Sequence, residues 1–189
     1  MRCDDRSGPA TAREYRAEWY RAADGVRHDE AVTDLRWEEI EDLFDPETNG
    51  VLPDGRVPGT SAEDWQAVFD LVRSNGWRHE YSVDGIVLRI PPAEAMFAVR
   101  DQAGRVLKVW PNPGILVNFF PHAEEHIDFD VDLRDLQGQE RLDVLCGFLR
   151  AIGRRLGKPV LMTPEGFSRY PILGFDVAAG RVAPMAGRR

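Results

Sequence analysis

Two segments of the chain carry apolar residues at helical spacing. The first has four of them at i, i+3, i+4 and i+7 of one face: Trp65, Val68, Phe69 and Val72. Thr60 or Ser61 can begin this helix, and Thr60 with Glu63 has the spacing of a capping box. Gly76 can end it in a left-handed conformation. The pattern therefore predicts an amphipathic helix between these two boundaries.

The second segment, residues 137–156, is longer and has the same periodicity. Its apolar face has six members: Leu142, Leu145, Cys146, Leu149, Ile152 and Leu156. Gly157 and Pro159 follow at once and are typical of a helix end. We predict a long amphipathic helix here, and shorter helices over residues 11–23 and 34–44.

Between residues 77 and 133 the apolar pattern changes to a period of two, which is typical of strands. The candidate strands are 77–83, 86–90, 96–100, 105–110, 114–120 and 126–133. Asp84-Gly85, between the first two, is a strong signal for a tight hairpin. Three further short strands are predicted near the C-terminus: 160–162, 171–177 and 180–184. Residues 45–59 are rich in Gly and Pro, and we expect an irregular loop there.

This order of elements predicts an α+β fold. Short spacers favour antiparallel neighbours, because parallel pairs need a long crossover. We expect a single domain over residues 34–184, with a mainly antiparallel sheet of about five to seven strands and helices packed on one face. We also expect residues 1–33 to form an N-terminal extension with one helix, and residues 185–189 to form a loose tail.

Composition and charge narrow the function classes. The 189 residues are 43% hydrophobic and carry a formal net charge of -8, which suits a soluble globular domain and disfavours general nucleic-acid binding. No apolar run is long enough to span a membrane, and the N-terminus lacks the apolar segment of a secretory signal. With Cys3 and Cys146 as the two cysteines, no disulfide framework is expected, and we predict a cytoplasmic location.

The sharpest chemical motif is His122-Ala-Glu-Glu-His126, which matches H-x-x-E-H. In inverted zinc proteases such a string binds the metal through two imidazoles, and it must be helical to place both on one face. Here it follows one predicted strand and precedes another. We therefore predict a polar hairpin turn, and metal-dependent hydrolysis stays an alternative.

Three carboxylates alternate with apolar residues in Ile127–Leu133. We call Asp128, Asp130 and Asp132 the acidic strip. Aspartate is a poor strand former and like charges repel each other, so the strip should lower the stability of its strand slightly. The fold itself does not require this cost in stability. The strip indicates a docking surface for a basic partner, with Glu124, Glu125 and Asp135 extending the negative field. An edge strand protected by charge and an acidic cation site remain the alternatives.

In this general character the chain resembles the small immunity proteins and related α+β domains encoded beside bacterial toxins. The likeness covers residues 34–184: an acidic single domain with a helix–meander–helix order and no active-site motif. The resemblance implies a stoichiometric, non-enzymatic binder that neutralises a basic protein such as a toxin. No cofactor, bound metal, nucleic acid or membrane partner is expected. A structural subunit of a larger assembly, such as a homo-oligomer, is the other alternative.

Overall fold

The computed structural model describes residues 35–99, 104–167 and 170–185. The predicted helix 11–23, the extension that contains it and most of the predicted tail lie outside the described residues. Within the described part, none of the helices is long and apolar enough to cross a membrane.

The α+β expectation is confirmed, and its centre is one antiparallel sheet. The nine strands are β1 Asp54–Pro58, β2 Arg78–Val83, β3 Ile86–Leu88, β4 Arg105–Asn112, β5 Ile115–Phe120, β6 His126–Val131, β7 Val160–Thr163, β8 Leu173–Asp176 and β9 Arg181–Pro184. They lie in the order β3-β2-β4-β5-β6-β1-β7-β8-β9. The predicted count of five to seven strands is therefore too low.

The extra central strand is β1, and the predicted loop over residues 45–59 is wrong. This segment forms a short helix, α2 (Pro46–Asn49), and then β1, which pairs with β6 on one side and β7 on the other. A Cβ at Gly55 would overlap the Phe129 ring, so glycine is what lets the two strands close over that core residue. Glycine and proline signal a loop locally, but burial between two strands overrides that signal.

The predicted strand over residues 96–100 is wrong, because residues 96–98 belong to a helix. α4 (Ala93–Ala98) begins after Pro92 and buries Ala93 and Met96. Short apolar runs do not distinguish a strand from a buried helical turn. Alanine, glutamate and methionine are good helix formers, and here propensity decided the outcome.

The remaining helices follow the predicted pattern closely. They are α1 (Trp37–Ile40), which continues into a 3-10 helix at Glu41–Phe44, α3 (Ala62–Ser74) and α5 (Gln139–Leu156). The capping box of α3 uses Ser61 and Asp64, one residue later than predicted. α5 ends at Gly157 in the left-handed conformation, with a φ of 62°.

The helices and one face of the sheet enclose a single hydrophobic core. Alternate residues of β4, β5 and β6 point into it, and the buried aromatics of α3 and α5 meet them there. Phe119 lies at the middle, with its ring centroid 5.4 Å from that of Phe129 and 6.0 Å from that of Phe148. The other residues of these strands form the opposite face of the sheet, which we call the open face.

Candidate functional site

The acidic strip lies at the centre of the open face, but its members have different surroundings. Asp128 is already paired: Arg56 on β1 donates to it through Nε at 2.7 Å and through Nη2 at 3.1 Å. His126 Nε2 lies 2.9 Å from the same carboxylate. Asp128 therefore contributes little net negative charge to the surface.

Asp132 is also engaged within the fold. β6 ends at Val131, two residues earlier than predicted, so Asp132 lies beyond the strand. Its side chain caps the 3-10 helix Leu133–Leu136 by accepting a hydrogen bond from the Arg134 backbone amide at 2.9 Å. The Arg134 guanidinium binds it as well, and these hydrogen bonds lower the pKa of the Asp132 carboxyl. Asp135 follows on the same turn and is exposed.

Asp130 is the member of the strip that has no cationic partner among the described residues. It accepts a hydrogen bond from Asn118 Nδ2 at 2.7 Å and lies directly opposite Asp54 in the β1–β6 pairing. Burial raises the pKa of Asp130, and the nearby charges of Asp54, Asp132 and Glu165 raise it further. Like charges opposite each other in a sheet are unfavourable.

Glu165 reaches this place from the loop between β7 and β8. Its Oε2 accepts from the backbone amides of Val51 and Leu52, at 2.9 and 3.1 Å. The neighbouring Gly166 amide donates to Asp54 Oδ2 at 3.2 Å. These bonds hold the loop against β1. We call Asp54, Asp130 and Glu165 the acidic cluster; in the described part of the chain, none of the three forms an ion pair.

Two aromatic side chains protrude from the same loop. Phe167 is one residue from Gly166 and is 65% exposed, and Tyr170 is 72% exposed. Aromatic side chains are common anchors at protein interfaces, because they supply a large contact area at a low cost in conformational entropy. Phe167 directly follows Gly166, whose amide binds Asp54, so an exposed ring lies beside the acidic cluster.

A cleft of about 320 Å³ indents the open face next to the cluster. Its wall includes Asp54, Arg56, Phe120, Leu161 and Thr163. The lining residues come from the four neighbouring strands β5, β6, β1 and β7, so the cleft exists only when the sheet has formed. Its lining contains both apolar and charged residues, which suits an amphipathic side chain with a hydrocarbon stem and a polar head.

The H-x-x-E-H string forms the turn between β5 and β6, as the hairpin prediction has it, and it is not helical. Three of its carbonyls are held by residues at the start of α3. Ala123 accepts from Trp65 Nε1 at 3.0 Å, while Glu124 and Glu125 accept from the side chain and amide of Thr60 at 2.7 and 2.9 Å. The two glutamate side chains are exposed. In the part of the chain that the structure describes, no group of three potential ligands is placed to hold a metal ion.

The acidic cluster combines one residue of the predicted surface with two that the sequence did not indicate. Asp54 falls in the predicted loop over residues 45–59, and Glu165 lies in a turn without a chemical motif. The alternation of Asp54 and Arg56 with the buried Gly55 and Val57 is the local hint that β1 presents polar groups to one face. The exposed Glu124, Glu125 and Asp135 lie outside the cluster and extend the negative charge around it.

No family model matches the chain, and no curated protein and no solved structure matches it either.

Replacing Asp130 with asparagine is expected to stabilise the protein at neutral pH by about 0.5–1 kcal/mol, because it removes a charge that is partly buried and lies opposite Asp54. Since the pKa of Asp130 is raised in the folded state, ionising it costs stability as pH rises. The gain should therefore be full at about pH 7 and vanish at about pH 3, where the carboxyl is protonated in both states. Urea titrations of the wild type and the variant at both pH values measure this gain in stability. A gain that does not depend on pH would contradict the raised pKa of Asp130.

Proposed function

We propose that the protein is a non-enzymatic protein-binding module of immunity or antitoxin type, which binds and neutralises a basic protein partner through its open face. The observation that carries this proposal is the acidic cluster: three carboxylates held together without an ion pair among the described residues, beside two exposed aromatics. The arrangement costs stability, and a bound cation would remove that cost.

Electrostatics supports a basic partner. A carboxylate whose pKa is raised by burial and by neighbouring charge gains most from a cation brought close to it. An arginine or lysine of the partner, placed between Asp54 and Asp130, would supply that charge. Its stem would lie along the cleft, and the exposed Glu124, Glu125 and Asp135 would speed the encounter.

The aromatic side chains would supply most of the affinity. Complementary charge governs association rate and specificity more than it governs the final free energy of binding. Interfaces usually depend on a few large anchors near their centre, and tyrosine is among the residue types found there most often. Phe167 and Tyr170 therefore complement the cluster, because charge would orient the partner and the rings would retain it.

The test begins with affinity capture of the tagged full-length chain from lysate of the cells that produce it, at low and at high salt. The captured protein is then purified, and its association with the chain is measured by surface plasmon resonance. We expect Asp54→Asn with Asp130→Asn to lower the association rate constant about tenfold at low salt. Phe167→Ala should instead raise the dissociation rate constant, by about tenfold or more.

The matched control is Glu94→Gln with Glu140→Gln. It changes the net charge by the same amount, but both residues are exposed on helices, across the sheet from the cluster. If this control slows association as much as the cluster variant does, the effect is one of total charge, and the proposed surface is wrong. Capture of an acidic partner, or binding that is insensitive to salt, would also oppose the proposal.

A further inference from the structure

The two edges of the nine-stranded sheet differ in how they are protected. β9 carries Arg181 at its start and Pro184 at its end, and both are residue types that discourage pairing with another chain. β3, at the opposite edge, has neither. Its three residues are aliphatic and exposed: Ile86 by 66%, Val87 by 60% and Leu88 by 51%. An unprotected apolar edge strand is a template for strand pairing.

The hairpin geometry shows which backbone groups of β3 are free to pair. Asp84 and Gly85 have φ values of 50° and 79°, as a type I′ two-residue turn requires. In such a hairpin the closing pair, Val83 and Ile86, is hydrogen-bonded, and the next pair, Ser82 and Val87, is not. The amide and carbonyl of Val87 therefore point away from β2, towards the open edge.

The residues around β3 form a self-complementary pattern. If two copies pair antiparallel with Val87 opposite Val87 of the second copy, Ile86 lies opposite Leu88 of the second copy, and every cross-strand pair is apolar. Asp84 precedes the strand and Arg89 follows it. Antiparallel pairing brings the Arg89 end of one copy to the Asp84 end of the other, so charge favours this orientation over the parallel one.

We propose that β3 is the interface of a symmetric homodimer, in which two sheets join edge to edge through Val87. The partner is a second copy of this chain. Such a dimer is isologous, since the same strand contributes from both sides. The two-fold axis of this antiparallel pair is perpendicular to the sheet. The open faces of both copies therefore lie on the same side of the joined sheet. The two Asp130 residues are then nine strand spacings of about 4.8 Å apart, which is roughly 43 Å.

Size-exclusion chromatography with light scattering on the full-length protein tests the dimer. The expected mass is about 43 kDa, twice the 21.4 kDa of one chain. Val87→Lys places like charges opposite each other and should weaken self-association about 100-fold. Val177→Lys is the matched control, because Val177 is an exposed valine in the turn between β8 and β9. It should leave the dimer intact.

A charge swap identifies the contact itself. Val87→Glu alone should be monomeric, like Val87→Lys, and an equimolar mixture of the two should return to the dimer mass. Far-UV circular dichroism of each variant checks that the fold is kept. Should Val87→Lys fail to fold, Val87→Cys in a Cys3→Ser background should form a covalent dimer on a non-reducing gel, since directly opposed Cα atoms are about 5.5 Å apart. Val177→Cys should not.

Three results would overturn the proposal. The wild-type chain could be a monomer at every concentration, in which case another segment or another protein covers β3. The dimer could survive Val87→Lys with an unchanged dissociation constant. The Val87→Lys and Val87→Glu variants could fold and yet fail to associate when mixed, which would place Val87 away from the two-fold axis.

Discussion

Trp65→Ala is expected to lower the free energy of unfolding by about 4 kcal/mol, as truncations of large buried aromatics do. Trp65 is fully buried at the start of α3. Its ring centroid lies 5.8 Å from those of Phe69 and Phe97 and 6.4 Å from that of Phe119. Because proteins of this kind have only about 5–15 kcal/mol of stability, this loss should remove about a quarter or more of it.

The indole has a second role, which a milder variant isolates. Trp65 Nε1 donates to the Ala123 carbonyl, so it joins the core to the turn at the margin of the open face. Trp65→Phe keeps an aromatic ring and leaves that carbonyl without its donor, at an expected cost of about 1–3 kcal/mol.

Guanidinium denaturation followed by circular dichroism measures both Trp65 variants. The control is Trp110→Ala on the open face, where the half-buried indole contacts Arg78 through a guanidinium carbon 4.3 Å from the ring centroid. We expect its cost to be about 1 kcal/mol. If Trp65→Ala cost no more than this control, Trp65 would not be a main element of the core.

Arg56→Met is expected to destabilise the protein by about 1–2 kcal/mol. The substitution removes the two-pronged hydrogen bond to Asp128 and leaves that carboxylate on the same strand as Asp130. Hydrogen bonds to charged groups contribute about 1.5–3 kcal/mol, and the 40% exposure of the Arg56 side chain reduces this figure.

A double-mutant cycle separates the pair from the other contacts of Arg56. Arg56→Met combined with Asp128→Asn should be more stable than the sum of the two single changes predicts, because the unpaired charge is gone. Arg134→Met is the comparison, since the Arg134 side chain is 68% exposed and its loss from Asp132 should have little effect. Strict additivity in the cycle would show that Arg56 and Asp128 do not stabilise each other.

Local signals predicted the helices and most strands well. The periodicity of α3 and α5 and the left-handed glycine after α5 are properties of neighbouring residues, so the chain itself carries them. The Asp84-Gly85 turn is equally local, because those two residue types tolerate a positive φ. The failures occurred where local signals were weak or misleading, at β1 with its glycine and prolines and at α4 with its short apolar run.

The candidate site was likewise predicted only in part from local sequence signals. An alternating strip of aspartates was visible in the sequence, and so was its unfavourable character for a strand. The pairing of Asp128 with Arg56 was not, because 72 residues separate them. Nor could the sequence show which aspartate of the strip lacks an ion pair. In the described part of the chain it is Asp130.

By itself, the sequence determined the type of each strongly periodic element, the antiparallel class of the sheet and the anionic character of the chain. These follow from spacing, turn chemistry and composition, which act over a few residues. The tertiary structure alone decided that β1 enters between β6 and β7 and that β3 is an edge strand. It also decided that Asp54 and Glu165 gather around Asp130. Those outcomes depend on the register of the whole sheet, which is set by burying one face of all nine strands together.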